Sequence, residues 1–159
     1  MARRIALEIV LIVGLTVALA WIILGVFSVA GAADPVSAFV DQTPRVLFGV
    51  LGIALGLFAV GVVIGAIAQR RRTPRARIVS HAVSLVVALT INVALLALVT
   101  VAASGGGGDS WGMLVLAIAG AAGAALLVAG LTAILLVELV FLRPKTGDVA
   151  RLDPENGLS

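Results

Sequence analysis

The sequence predicts an all-α membrane protein: an antiparallel bundle of four transmembrane helices, with the N and C termini in the cytoplasm. Four apolar runs, at about residues 5–30, 46–68, 78–103 and 113–142, carry this prediction. Each can cross a hydrocarbon core about 30 Å thick at about 1.5 Å of helix rise per residue. Ten of the eleven Lys and Arg residues lie on one side of these runs, and only Arg45 lies on the other. Because cytoplasmic loops are enriched in Lys and Arg, this split predicts the orientation.

The first run has a second interpretation, because it begins close to the N-terminus. Arg3 and Arg4 precede an apolar stretch that ends in small residues, as in a secretory signal peptide with its cleavage site. The apolar part of a signal peptide has about 7–15 residues. This run is about twice as long and contains Glu8 and Trp21, which favours an uncleaved transmembrane helix. Cleavage would leave three spans.

Capping residues predict where the helices begin. Thr43-Pro44 and Thr73-Pro74 each place a good N-cap residue before a proline, which predicts that the second and third helices begin there. Asp34-Pro35 predicts a separate short helix on the outer surface of the membrane. The tail at residues 143–159 is too short for a core of its own, and we expect it to be flexible.

Several kinds of chemistry are excluded by the residue types in the chain. Cysteine is absent, which excludes disulfides, thiolate metal sites and cysteine nucleophiles. No carboxylate pair, metal-ligand cluster or Ser/His/Asp set has a recognisable spacing, so the sequence predicts no enzyme, no metal site and no cofactor. The net charge of +3 belongs to the predicted cytoplasmic segments and indicates lipid rather than nucleic acid as the partner. The expected head-group contacts are Arg70, Arg71, Arg72, Arg75 and Arg77.

Glycines form small-residue faces on two of the predicted helices. They are Gly49, Gly52, Gly56, Gly61 and Gly65 on the second helix, and Gly112, Gly123 and Gly130 on the fourth. Such spacings let helix backbones approach closely, so we expect these faces to pack against other helices. Packing within the chain is favoured, and the alternative is that one face docks a second copy or another membrane protein.

Four polar residues are predicted to form a layer near the cytoplasmic surface. They are Glu8, Gln69, His81 and Glu138, each close to the inner end of its helix. Ser84 and Asn92 lie on the same face of the third helix as His81, and Asn92 is close to the bilayer midplane.

This polar layer has two interpretations. Ionisable groups inside a span are candidate functional groups by default, which would make the layer a path for protons or cations. Alternatively, the glutamates pair with Arg4, Arg77 or Arg143, and Asn92 bonds a neighbouring helix. The second interpretation is favoured because a transport site normally lies near the midplane, where this chain has no carboxylate. We also expect water and head groups to reach the layer.

One function is favoured, and two alternatives stay open. The favoured function is that of a small non-catalytic protein in the inner (plasma) membrane, an accessory or assembly subunit that acts through helix packing. A composition rich in Ala, Val, Gly and Arg is typical of a high-GC bacterium. The first alternative is a small oligomeric transporter or channel that uses Glu8, His81, Glu138 and Asn92. The second is a membrane anchor whose tail recruits a cytosolic protein.

Overall fold

Four long helices make up the part of the chain that the structure describes. The computed structural model describes residues 2–30, 32–69, 73–103 and 110–141, so the tail and Arg70, Arg71 and Arg72 lie outside the described residues. The helices are α1 (Ala2–Val29), α2 (Pro35–Ala68), α3 (Pro74–Ala103) and α4 (Ser110–Leu136), which continues as a π-helical turn over Val137–Phe141. All four are long and apolar enough to cross a membrane, and the part of the chain described has no strand. The predicted all-α bundle of four helices able to span a membrane is confirmed, and the orientation of its termini stays a prediction.

The helices pack in a ring. α1 and α3 each pack against both α2 and α4, and consecutive helices run in opposite directions. One end of the bundle therefore holds the beginnings of α1 and α3 and the ends of α2 and α4. We call it the inner end, because the charge distribution predicts that it faces the cytoplasm. The opposite end is the outer end.

The second helix begins earlier than predicted. It starts at Pro35, where the side chain of Asp34 accepts hydrogen bonds from the backbone N–H groups of Val36 and Ser37. Thr43 is helical and is not the predicted N-cap. A π-helical turn over Ala38–Gln42 precedes Pro44, and the N–H and hydroxyl of Thr43 both donate to the carbonyl of Ala38. Local π geometry and threonine hydroxyls let a proline remain inside a membrane helix, so the predicted separate surface helix is instead the first turns of α2.

The third helix begins where the sequence predicts. Its first residue is Pro74, and Thr73 Oγ1 accepts a hydrogen bond from the N–H of Ala76 at 3.4 Å. Thr73-Pro74 thus marks the start of a helix as predicted. Thr43-Pro44 does not, because the earlier cap at Asp34 starts α2 upstream of it.

The core is one apolar cluster built by all four helices. Ile12, Val62, Leu85 and Ile134, one from each helix, are fully buried in it. Large aliphatic side chains also cover the outside of the bundle, as expected where lipid is the solvent.

In the inner half, the predicted glycine faces pack against α3. A Cβ atom added at Gly61 would lie 2.6 Å from Ser84 Cβ, and one added at Gly65 would lie 3.0 Å from His81 Cε1. On α4, a Cβ at Gly130 would lie 2.5 Å from Leu85 Cδ2. A larger residue would overlap the Cβ atom of Ser84 at Gly61 and would be tightly packed against the imidazole at Gly65, whereas at Gly130 the end of the Leu85 side chain would have to move. Gly123 makes an ordinary contact with Leu89, and Gly112 is half-buried.

In the outer half, three of the predicted packing glycines face no other helix of the described chain. A Cβ at Gly49, Gly52 or Gly56 would meet no atom of the described chain within 4 Å. The expectation that these three glycines pack within the chain is therefore wrong. α3 is uncovered in the same half, since no residue from Val93 to Ala103 is buried.

Candidate functional site

Four ionisable side chains meet at the inner end of the bundle. Glu8 comes from α1, Arg77 and His81 from α3, and Glu138 from the π-helical turn of α4. Their exposed fractions are 2%, 8%, 0% and 3%. We call these four residues the ion cluster. The charges are thus held out of water, where an uncompensated charge costs several kcal/mol.

The contacts run from one carboxylate to the other through the basic groups. Arg77 Nη2 donates to Glu138 Oε2 at 2.6 Å, and Arg77 Nη1 lies 3.6 Å from Glu8 Oε2. The other oxygen of Glu8, Oε1, lies 3.3 Å from His81 Nε2. Glu8 is therefore placed between the guanidinium and the imidazole.

Helix geometry explains why these side chains converge. Arg77 and His81 are four residues apart, so they lie one turn apart on the buried face of α3. Glu138 and its neighbour Val137 are both buried, which places two consecutive residues on the inside of α4. A π-helical turn changes the direction of successive side chains, and such turns are frequent at functional sites. Gly65 leaves room for the His81 ring on the α2 side.

The structure brings together three of the four residues predicted to form the polar layer. Glu8, His81 and Glu138 join the cluster, whereas Gln69 lines an open groove of about 550 Å³ with Arg75 and Ser80. The expectation that water and head groups reach the layer is wrong for the three cluster residues, because the helices enclose them.

The position of Arg77 in the structure differs from its predicted position at the lipid head groups. Arg77 was expected among the lipid head-group contacts, while the favoured interpretation of the polar layer also offered it as a partner of the glutamates. The structure agrees with the second role, because Arg77 is buried between the two carboxylates. The signal for this position is its spacing, four residues before His81 and at the start of an apolar run. Arg75, two residues earlier, is exposed as expected for a head-group contact.

Near the midplane, the side-chain amide of Asn92 is bound to the backbone of α2. Its Nδ2 donates to the carbonyl of Val50 at 3.1 Å, and its Oδ1 accepts from the N–H of Ala54 at 3.3 Å. Val50 and Ala54 are four residues apart, so one amide bridges one turn of the neighbouring helix. Ser84 donates within its own helix, to the carbonyl of Ser80 at 3.0 Å. Asn92 thus forms the interhelical bond of the second interpretation.

A mainly apolar layer separates the ion cluster from Asn92, with the half-buried Ser84 at its edge beside Gly61. Ile12, Leu85 and Ile134 each follow a cluster residue by one helical turn toward the outer end, and Val62 completes the layer on α2. All four are 0% exposed. These four side chains therefore place no polar group at the centre of the bundle between the cluster and the outer half.

The ion cluster is not completely satisfied. Among the described residues, Arg77 Nε, His81 Nδ1 and Glu138 Oε1 are buried without a hydrogen-bond partner. Two ionised glutamates and one arginine leave a net charge of −1, which a proton on His81 or another cation would neutralise. Glu8, His81 and Glu138 each offer a ligand atom, and these atoms lie within 4.8 Å of one another.

Comparisons with protein-family models, with curated proteins and with solved structures find no match to this chain.

Proposed function

We propose that this chain is a non-catalytic accessory or assembly subunit of a bacterial inner membrane, which binds another transmembrane helix through the outer half of α2. The observation that carries the proposal is the open face that Gly49, Gly52 and Gly56 form there, on the side of α2 that faces away from α3. This protein is a multi-pass membrane protein, and in such proteins helix association is the function that needs the fewest polar groups.

The glycine face is costly unless a helix covers it. Glycine in a helix interior is less favourable than alanine by about 0.8–1.0 kcal/mol per residue. At Gly61 and Gly65, close packing with α3 offsets that cost. Gly49, Gly52 and Gly56 have no such contact in the described chain. Lipid tails gain little from a flat glycine surface, whereas a partner backbone gains close van der Waals contact along it.

The placement of the polar groups also supports this proposal over transport. Both polar atoms of the Asn92 amide are hydrogen-bonded to the α2 backbone, and the apolar layer lies between Asn92 and the ion cluster. Proton or cation transfer needs a connected set of polar groups or waters, and the described residues offer a break of at least one turn.

Partner binding can be tested with leucine substitutions on the open face. Gly52→Leu and Gly56→Leu should release a co-purifying membrane partner or a second copy, because leucine forces the backbones apart. Gly14→Leu is the matched control, since Gly14 on α1 also has open space around its Cβ position but is not part of a glycine face. The readout is native mass spectrometry of protein extracted in mild detergent. Equal association in all three variants and in the wild type would refute the proposal.

A transporter is the second candidate, and the burial of four ionisable groups is the observation that favours it. Purified protein in liposomes under an imposed ion or pH gradient distinguishes the two. We expect no flux above that of empty liposomes. Flux that Glu138→Gln abolishes, in a variant that still folds, would replace the accessory function with transport.

A further inference from the structure

We infer that the ion cluster is a binding site for one divalent transition-metal ion, with Glu8, His81 and Glu138 as ligands and Arg77 as a counter-ion that the metal displaces. The three ligands come from three helices and are each at most 3% exposed. Two carboxylates and one imidazole are a ligand set found in zinc sites, and the fourth position is left to water.

The distances suit a metal. Two ligands of a tetrahedral zinc ion, with bonds of about 2.0–2.1 Å, are about 3.4 Å apart. His81 Nε2 and Glu8 Oε1 already lie 3.3 Å apart. The third ligand atom lies within 4.8 Å of both, so a rotation of the Glu138 side chain closes the set.

The unsatisfied atoms point to a ligand at the same place. Glu138 Oε1 is a buried carboxylate oxygen with no partner among the described residues. A buried polar network is stable only when its members are satisfied, so a missing partner indicates a bound ion or water. The charge agrees, because a divalent cation with two carboxylates and a neutral histidine has no net charge.

Arg77 is the counter-ion of the two carboxylates in the absence of a metal, but its hydrogen bonding there is incomplete. It makes one hydrogen bond in the cluster, at 2.6 Å to Glu138, while its contact with Glu8 is longer at 3.6 Å and its Nε has no partner in the described chain. Arg77 also lies one helical turn closer to the inner end than His81. Its guanidinium can therefore leave toward the inner surface as an ion enters from that side.

Histidine chemistry fits the exchange. Binding through Nε2 requires the neutral tautomer with its proton on Nδ1. That nitrogen faces the space left by the missing side chain of Gly65, where Ser80 Oγ also lies: a Cβ there would be 3.1 Å from Nδ1 and 3.2 Å from Ser80 Oγ. Metal-binding histidines usually direct the second ring nitrogen to a polar partner or water. Nδ1 has no partner in the described chain, and the hydroxyl of Ser80, beside the same position of Gly65, is the polar group that a rotation could bring to it.

The test uses the full-length, tag-free protein in detergent, treated with chelator and then titrated with Zn²⁺ or with Co²⁺ as a spectroscopic probe. We expect one ion per chain, and Glu138→Gln and His81→Gln should weaken binding by at least about tenfold. Arg77→Gln should instead tighten it by about tenfold or more, because a like-charged competitor is gone. Asp41→Asn is the control, since Asp41 is an exposed carboxylate outside the cluster.

Opposite effects of the ligand variants and of Arg77→Gln are the decisive result, because a general loss of structure would weaken binding in every variant. The inference would be overturned if one ion binds per chain but Glu138→Gln and His81→Gln leave its affinity unchanged. It would also be overturned if the protein binds no more metal than a sample that contains chelator. In either case, water alone would complete the cluster. If neither ligand variant folds, the Co²⁺ spectrum of the wild type and the affinity of Arg77→Gln decide. The accessory function is unaffected by either outcome.

Discussion

Gly61→Ala should destabilise the bundle although alanine is the better helix former. A Cβ at this position would lie 2.6 Å from Ser84 Cβ and 2.8 Å from Ser84 Oγ, well inside van der Waals contact. Overpacking of this kind costs about 1–3 kcal/mol. The higher helix propensity of alanine returns about 0.8–1.0 kcal/mol. The free energy of unfolding should therefore fall by about 0–2 kcal/mol.

Gly14→Ala is the control for this prediction, because nothing lies within 4 Å of its Cβ position in the described chain. This variant keeps the propensity gain without a clash, so its free energy of unfolding should rise by up to about 1 kcal/mol. Titration of the purified protein with SDS, followed by circular dichroism, measures both. Adding Ser84→Gly to Gly61→Ala should restore much of the loss, since it removes the atoms in contact. Equal stability of Gly61→Ala and Gly14→Ala would refute the close approach of α2 and α3.

Three further predictions concern polar groups and orientation. Arg77→Met should lower the free energy of unfolding by about 3–5 kcal/mol, because it leaves Glu8 and Glu138 buried without their counter-ion, and SDS titration measures this loss. Asn92→Leu should cost only about 0.6–2 kcal/mol in the same assay, whereas Thr90→Val, which removes an exposed hydroxyl bonded within its own helix, should change little. A reporter fused after Ser159 should be active only in the cytoplasm, and activity in the periplasm would contradict the orientation predicted from the Lys and Arg residues.

The number and the ends of the helices were largely predictable because they depend on local properties. The length of an apolar run that spans a membrane is set by the thickness of the bilayer. The Thr73 cap correctly marks the start of α3. The start of α2 was not predictable from the same Thr-Pro pattern. Asp34 provides an earlier cap, and a π-helical turn lets Pro44 remain inside the helix. A local rule therefore fails where the backbone adapts to a neighbouring signal.

Which glycines pack was not predictable, because the answer depends on which face of the helix meets a neighbour. Gly52-xxx-Gly56 and Gly61-xxx-Gly65 have the same spacing on one helix, but the pairs are offset by nine residues, which places them on opposite faces. Only the face of the second pair meets α3. Spacing specifies that a face can pack, but the tertiary structure decides which face does so.

The ion cluster shows the same limit for charged residues. The depths of Glu8, His81 and Glu138 predicted that they lie at one level, but their convergence depends on the α1–α4 and α3–α4 contacts. Arg77 immediately precedes the third apolar run, so the sequence placed it both among the head-group contacts and among the possible partners of the glutamates. Here two buried carboxylates across the bundle hold it inside.

The stability of the bundle does not explain why such a cluster is present. Replacing a buried ion pair by apolar residues of similar volume is often neutral or stabilising, so four buried ionisable groups are a poor means of holding helices together. Close glycine contacts and the apolar layer already join the helices in the same region. The unsatisfied Glu138 oxygen adds a further cost. The ion cluster is therefore costly and incompletely paired, and Arg77 is its member nearest the inner end. Binding of an ion explains these features better than a structural role does.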